Sequence, residues 1–257
     1  MNKLILIITC LFIVGCQTSD QGEIDEGDAT QGSSNQSESP YLGSWPYNPN
    51  KDIINDPGFG SCPNANGCEC NTNDTCPENS KCTQLFRGKY CVPQKGAVVP
   101  RFRAIDQFGD EFDLYDLANQ GKPILLEIGN ASASACRYFS AWRSHVSDDA
   151  IKQKWWKNKF KKVRNLIDNK EIYWVHVIHS DENKNPATPE TVRLWYEHYQ
   201  HDNIIILADP DSKMKTWIRP TGMPCMILID EDMRVQVHAL RGIEDALDAV
   251  YEVLDLK

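Results

Sequence analysis

Apolar and polar positions change rhythm several times along the chain. Residues 4–14 are an almost unbroken apolar run, and the chain turns polar immediately after Cys16. Such a run is too short to span a bilayer comfortably, but it fits the apolar region of a signal peptide. Residues 17–55 carry little apolar content apart from a patch at Tyr41-Leu42-Gly43-Ser44-Trp45-Pro46-Tyr47. From about residue 97 the pattern becomes that of a globular α/β domain. Short strand-like pieces flank a turn at Asp106-Gln107-Phe108-Gly109-Asp110. Apolar runs at 123–128, 172–178, 203–207, 226–229 and 235–240 read as strands, and 134–147, 151–168, 189–200 and 243–254 read as helices. Strands alternating with helices imply a mostly parallel, helix-flanked central sheet, with the last two strands close enough to form an antiparallel hairpin.

Charge and cysteine content narrow the picture. The 257 residues carry a formal charge of -9, which argues against non-specific nucleic-acid binding. Ten cysteines point to an oxidising compartment. Ile13-Val14-Gly15-Cys16 resembles the lipobox of bacterial lipoproteins. That resemblance implies that residues 1–15 are a signal peptide, that Cys16 carries the lipid, and that the protein reaches the membrane of the cell envelope through this anchor. Gln17 after the cysteine favours the outer membrane by analogy with enteric lipoproteins. A plain secretory signal, or a short anchor helix, is the competing reading. Asp20, Glu23, Asp25, Glu26, Asp28 and Glu38 lie in a stretch without Lys or Arg, so residues 16–55 read as a self-repelling, disordered tether.

Residues 56–96 form a cysteine-dense module. Cys62, Cys68, Cys70, Cys76, Cys82 and Cys91 follow the pattern C-x5-C-x-C-x5-C-x5-C-x8-C among Pro, Asn, Gly and Thr. So short a segment has almost no core, and its six cysteines suggest three structural disulfides of open connectivity. No paired C-x2-C spacing for zinc is present. A ligand-binding knot and a stapled spacer are both open.

Two segments within residues 97–257 carry a further resemblance. Ile124-Leu125-Leu126-Glu127-Ile128-Gly129-Asn130-Ala131-Ser132-Ala133-Ser134-Ala135-Cys136-Arg137 resembles the strand–loop–helix of thioredoxins and redoxin-type thiol–disulfide oxidoreductases. Gly222-Met223-Pro224-Cys225-Met226-Ile227-Leu228-Ile229-Asp230 resembles the cis-proline loop of the same family. The resemblance implies a thioredoxin-like fold, a central mixed sheet flanked by helices. It puts Ala133 at the first, attacking cysteine of the W-C-x-x-C motif and Cys136 at the second. It makes Glu127 the acid that moves protons at the buried cysteine, and Met223-Pro224 the loop that presents backbone groups to a substrate chain.

Without a cysteine at 133, ordinary dithiol turnover is impossible. Three readings stay open. In the first, Cys136 acts as a monothiol or rewired site on a protein thiol or disulfide partner. Cys225 would be its redox partner, since these two cysteines are left over once Cys10 is removed with the signal peptide and Cys16 and the six module cysteines are assigned. Both are equally readable as small buried apolar residues. A peroxidase of the peroxiredoxin kind fits poorly, because its Thr and Pro positions are occupied here by Ala133 and Gly129. A non-catalytic module using the same cleft for a peptide or protein partner is the third. No metal or cofactor is expected. His145, His176, His179, His198, His201 and His238 are scattered, and His176 and His179 read as sheet residues. Lys152, Lys154, Lys157, Lys159, Lys161, Lys162 and Arg164 read either as an anionic-lipid or partner surface, or as a solvated helix face with Trp155, Trp156 and Phe160 turned inward.

Overall fold

The computed structural model describes residues 39–256. The signal segment, Cys16 and the tether as far as residue 38 lie outside the described residues.

Two small antiparallel hairpins precede the main sheet. The first joins β1 (Ser80–Leu85) to β2 (Gly88–Pro93), and the second joins β3 (Arg103–Ile105) to β4 (Glu111–Asp113). The main sheet is built from β5 (Ile124–Gly129), β6 (Tyr173–Ile178), β7 (Ile204–Ala208), β8 (Cys225–Ile229) and β9 (Val235–Ala239), in the spatial order β7-β6-β5-β8-β9. β5, β6 and β7 run parallel, while β8 is antiparallel to β5 and β9 antiparallel to β8. β5 and β7 are buried throughout, which is why they read as continuous apolar runs rather than alternating ones. The fold is thioredoxin-like: a parallel β-α-β half joined to an antiparallel β-β-α half, with Met223–Pro224 as a cis peptide just before β8.

Alternation along the strands separates two apolar clusters. One face, with Leu125, Trp174, Ile206 and Leu228, is covered by α1 (Ser134–Arg143), α2 (Lys161–Asp168), α3 (Pro189–His198) and a C-terminal helix at Glu244–Val253. The opposite face, with Leu126, Val175, Leu207 and Ile227, is covered by three pieces. These are the β3–β4 hairpin, a 3-10 turn at Leu114–Leu117, and α4 (Lys213–Ile218). Among the described residues, no helix is long and apolar enough to cross a membrane.

The second helix is shorter than its sequence pattern suggests. Residues 149–160 contain two 3-10 turns, and α2 begins only at Lys161. Lys154, Lys157 and Lys161 would repel one another at helical spacing. The adjacent indoles of Trp155 and Trp156 also both pack against the core, with Phe160 fully buried. Several basic side chains of this stretch are already engaged: Lys157 pairs with Glu244 and Asp248, Lys159 with Asp248, and Arg164 with Asp148.

Residues 39–55, which composition assigns to the tether, pack onto the domain instead. Trp45 is buried and donates its indole N–H to Asp106 at 2.7 Å. Asp116, with no exposed surface, accepts from Tyr41, from the Asn48 backbone at 2.9 Å and from Lys51 at 2.6 Å. The apolar patch at 41–47, readable from the sequence either as packing onto a later domain or as a sticky loop, is therefore a strap.

The cysteine module is closed by Cys62–Cys68, Cys70–Cys82 and Cys76–Cys91 around the β1–β2 hairpin. It docks on the domain. Arg219 donates to the Gly67 carbonyl at 2.8 Å and stacks over Tyr90, and His238 Nδ1 contacts the Pro93 carbonyl at 3.0 Å. Gly67, at φ +83°, sits so close to α4 that a Cβ there would run into the Thr216 carbonyl.

Candidate functional site

Strand register brings three loops to one end of the sheet. Gly129 at the end of β5 pairs with Ile178 at the end of β6, and Ile128 pairs with Cys225 at the start of antiparallel β8. The loops at 130–133, 179–188 and 219–224 therefore emerge together. This is the edge at which open α/β sheets bind their ligands.

Ala133 precedes α1 without a side-chain capping bond and is half-buried against the helix-covered cluster. Met223 is half-buried at the sheet end, in contact with both apolar clusters. Among the described residues, neither the N–H nor the C=O of Met223 makes a hydrogen bond, whereas Thr221 and Pro224 are held to the chain around Leu240 and Gly242. The Thr221 N–H donates to the Leu240 carbonyl, and the Pro224 carbonyl accepts from Gly242 at 2.7 Å. A cleft of about 520 Å³ opens beside the 130–133 loop. Arg137, Asp181, Glu182 and Glu190 supply charge to its lining, and Ala131, Leu194, Trp195 and Tyr199 supply apolar surface.

Cys136 lies in the first turn of α1 with no exposed surface. Burial pushes its thiol up to about 12, and the nearby Glu127 charge adds to the effect. At neutral pH such a thiol stays protonated, whereas a few per cent of an exposed cysteine is thiolate. The helix N-terminus, which favours thiolate in the dithiol enzymes, does not overcome this desolvation.

Cys225 is also buried and free, and burial raises its thiol as well. It donates to the Ala239 carbonyl at 3.0 Å. Directly opposed residues of an antiparallel pair point to the same face, and Ile128, opposite Cys225, faces the α4 side. Cys136 belongs to the cluster on the other face. The expected Cys136–Cys225 juxtaposition is thus corrected: the two thiols lie on opposite faces of the sheet. Cys225 follows Pro224 directly, and strand alternation turns it away from α1.

Glu127 shares the Leu125 face by alternation, the side on which Cys136 packs, and it is fully buried. Its partner is a cation rather than a thiol. Arg143, 1% exposed, forms an ion pair with Glu127 Oε2 and donates to His176 Nδ1 at 2.7 Å. Trp174 Nε1 donates to the same Glu127 oxygen at 3.1 Å. Burial pushes Glu127 up and Arg143 down, and each opposes that push in the other. A guanidinium keeps its proton, so the pair is ionic and Glu127 is held as a counterion. An arginine only donates, so His176 Nδ1 is the acceptor and the neutral ring carries its proton on Nε2, 3.5 Å from Glu127 Oε1. Burial and then the Arg143 charge hold His176 well below its ordinary range.

Arg143 and His176 are members of this site that sequence reasoning misses. Both carry a signal. Arg143 follows Cys136 by seven positions, on the same helix face as buried Phe139. His176 is the strand-pair neighbour of Glu127. Gly129 makes room for it, since a Cβ there would lie 2.5 Å from His176 Nε2 and 3.3 Å from Cys136 Sγ.

No protein-family model and no curated protein matches the chain. Solved structures do. The thioredoxin domain of a thiol-disulfide oxidoreductase from Bacteroides vulgatus is 21% identical, with 62% of this chain and 96% of that one covered at a TM-score of 0.42. A thiol:disulfide interchange protein from Bacteroides sp. is 21% identical, with 63% and 90% covered at a TM-score of 0.44. The pneumococcal exposed lipoprotein thioredoxin from Streptococcus pneumoniae is 17% identical, with 61% and 99% covered at a TM-score of 0.42.

Proposed function

We propose that this protein is a lipid-anchored, envelope-facing thioredoxin-fold module that binds an extended polypeptide and has given up thiol exchange. A single contrast supports this reading. The Cys136 thiol is sealed and protonated, while the backbone of Met223, packed on the same cluster, is left without a partner. In the oxidoreductases that the chain resembles, the cis-proline loop presents its backbone to the substrate chain. The same pairing here needs no thiol. A polypeptide added along Met223 satisfies two backbone groups. The envelope location is supported by three disulfides, which persist in oxidising compartments, and by the lipobox-like run ending at Cys16.

The test is a disulfide-reduction assay on the wild type, Cys136→Ser and Ala133→Cys. Wild type and Cys136→Ser are expected to be equally inactive, with turnover appearing only in Ala133→Cys. Wild-type turnover that Cys136→Ser abolishes would restore the monothiol reading in place of this one.

A further inference from the structure

Two of the histidines that look scattered in the sequence meet in the fold. Three helices finish at the end of the sheet opposite the Ala133–Cys136 loop: α1 at Arg143, α2 at Asp168 and α3 at His198. The parallel strands start at that end, so the length of the sheet separates the two regions. At and just past these helix ends, His145, Asp168 and His201 converge from three different segments. His145 Nε2 lies 3.1 and 3.2 Å from the two Asp168 oxygens, and His201 Nε2 lies 2.9 Å from Oδ1. The two imidazoles are stacked, with centroids 6.2 Å apart and planes 18° from parallel. One ligand atom from each residue lies within 4.8 Å of the others.

We propose that His145, Asp168 and His201 bind one divalent transition-metal ion of the zinc class. The donor set is two imidazoles and one carboxylate, which suits zinc and not the all-oxygen preference of magnesium or calcium. A tetrahedral zinc with bonds of about 2.0–2.1 Å sets its ligand atoms roughly 3.3 Å apart. The observed separations from Asp168, 2.9 and 3.1 Å, fall a few tenths short of that, and the two imidazole nitrogens lie within 4.8 Å of each other, so side-chain adjustment admits the ion. The fourth position faces solvent, because the His145 and Asp168 side chains are 52% and 34% exposed. The C-terminal ends of the helices add to the attraction, since the helix dipole places partial negative charge there. Asn203 Nδ2 ties the His201 loop to the end of α2, donating to the Ile167 carbonyl at 3.0 Å and the Asp168 carbonyl at 3.1 Å.

The metal-free arrangement says what binding must change. The Asn203 N–H donates to His201 Nδ1 at 3.2 Å, so the neutral ring holds its proton on Nε2 and donates it to Asp168. Coordination through Nε2 requires the proton to shift to Nδ1. It exchanges the Asn203 contact and the imidazole–carboxylate bonds for three metal bonds. The bound ion would pin the ends of three helices together, away from the loops around Ala133.

The test is calorimetric titration of the full chain, freed of metal by a chelator, with ZnCl₂. One equivalent is expected to bind. His145→Ala and His201→Ala are each expected to weaken binding at least about tenfold, a loss of roughly 1.4 kcal/mol. Asp168→Asn keeps the shape of the side chain, so a matching loss there separates ligation from folding. Zinc is also expected to shift the imidazole resonances of His145 and His201 and to leave those of His179 and His238 unchanged. A flat wild-type titration, or binding that survives the His145→Ala/His201→Ala double substitution, would overturn the proposal.

Discussion

Arg143 offers the most demanding test of how the site is held. Replacing it with Met keeps most of the stem but removes the cation. Glu127 then retains only the Trp174 N–H and its contact with His176, and His176 Nδ1 loses its donor. Two charge-assisted hydrogen bonds at about 1.5–3 kcal/mol each give roughly 3–6 kcal/mol. That agrees with the roughly 3–5 kcal/mol typical of orphaning one member of a buried pair. The loss should depend on pH. With Arg143 gone, the main opposition to the burial that raises the Glu127 carboxyl above its unfolded value is removed. A group raised in the folded state stabilises fully below its unfolded pKa, about 4.3 for Glu, and loses that contribution as pH climbs. The penalty should therefore be smallest near pH ~4.5 and grow by up to about 1.4 kcal/mol per pH unit until Glu127 ionises in the folded state. Urea unfolding followed by tryptophan fluorescence at pH ~4.5 and ~7.5 measures both quantities. Adding Glu127→Gln should flatten the pH dependence and recover part of the loss. A penalty below about 1 kcal/mol, or one equal at the two pH values, would refute the assignment of Glu127 as the arginine's counterion.

Two further outcomes follow from packing. Gly129→Ala should cost about 1–3 kcal/mol, read as a lower thermal midpoint, because its Cβ enters the space of His176 Nε2. Trp45→Ala should cost about 3–5 kcal/mol, and it should expose residues 39–55 to proteolysis while the disulfide module stays intact. Unchanged cleavage in that segment would mean that the Asp116 contacts alone hold the strap.

The strands and the two loop motifs are legible in the sequence because buried parallel strands are continuous apolar runs and prolines are unambiguous. The start of the second helix misleads because its lysines and indoles are spaced in a helix-compatible way, and seating two adjacent indoles inward breaks 149–160 into 3-10 turns. That the 41–47 patch could pack on a later domain is legible, but its anchors are hidden because Asp106 and Asp116 lie 61 and 75 residues from Trp45 and Tyr41 in the chain. The candidate site is half legible. Glu127 on a buried strand, Cys136 in the first turn of α1 and Pro224 before β8 stand at positions the motifs mark. That Arg143 claims Glu127, and that strand alternation turns Cys225 to the opposite face, depend on tertiary packing and register, which local pattern does not carry.

The central claim is that the fold is kept while its thiol chemistry is closed. It is tested most directly by titrating the processed, unreduced protein with an aromatic disulfide reagent, before and after unfolding. The expected result is no thiol reacting in the native state and two, Cys136 and Cys225, reacting once the chain is unfolded. A native thiol that reacts rapidly at neutral pH and disappears in Cys136→Ser would contradict it.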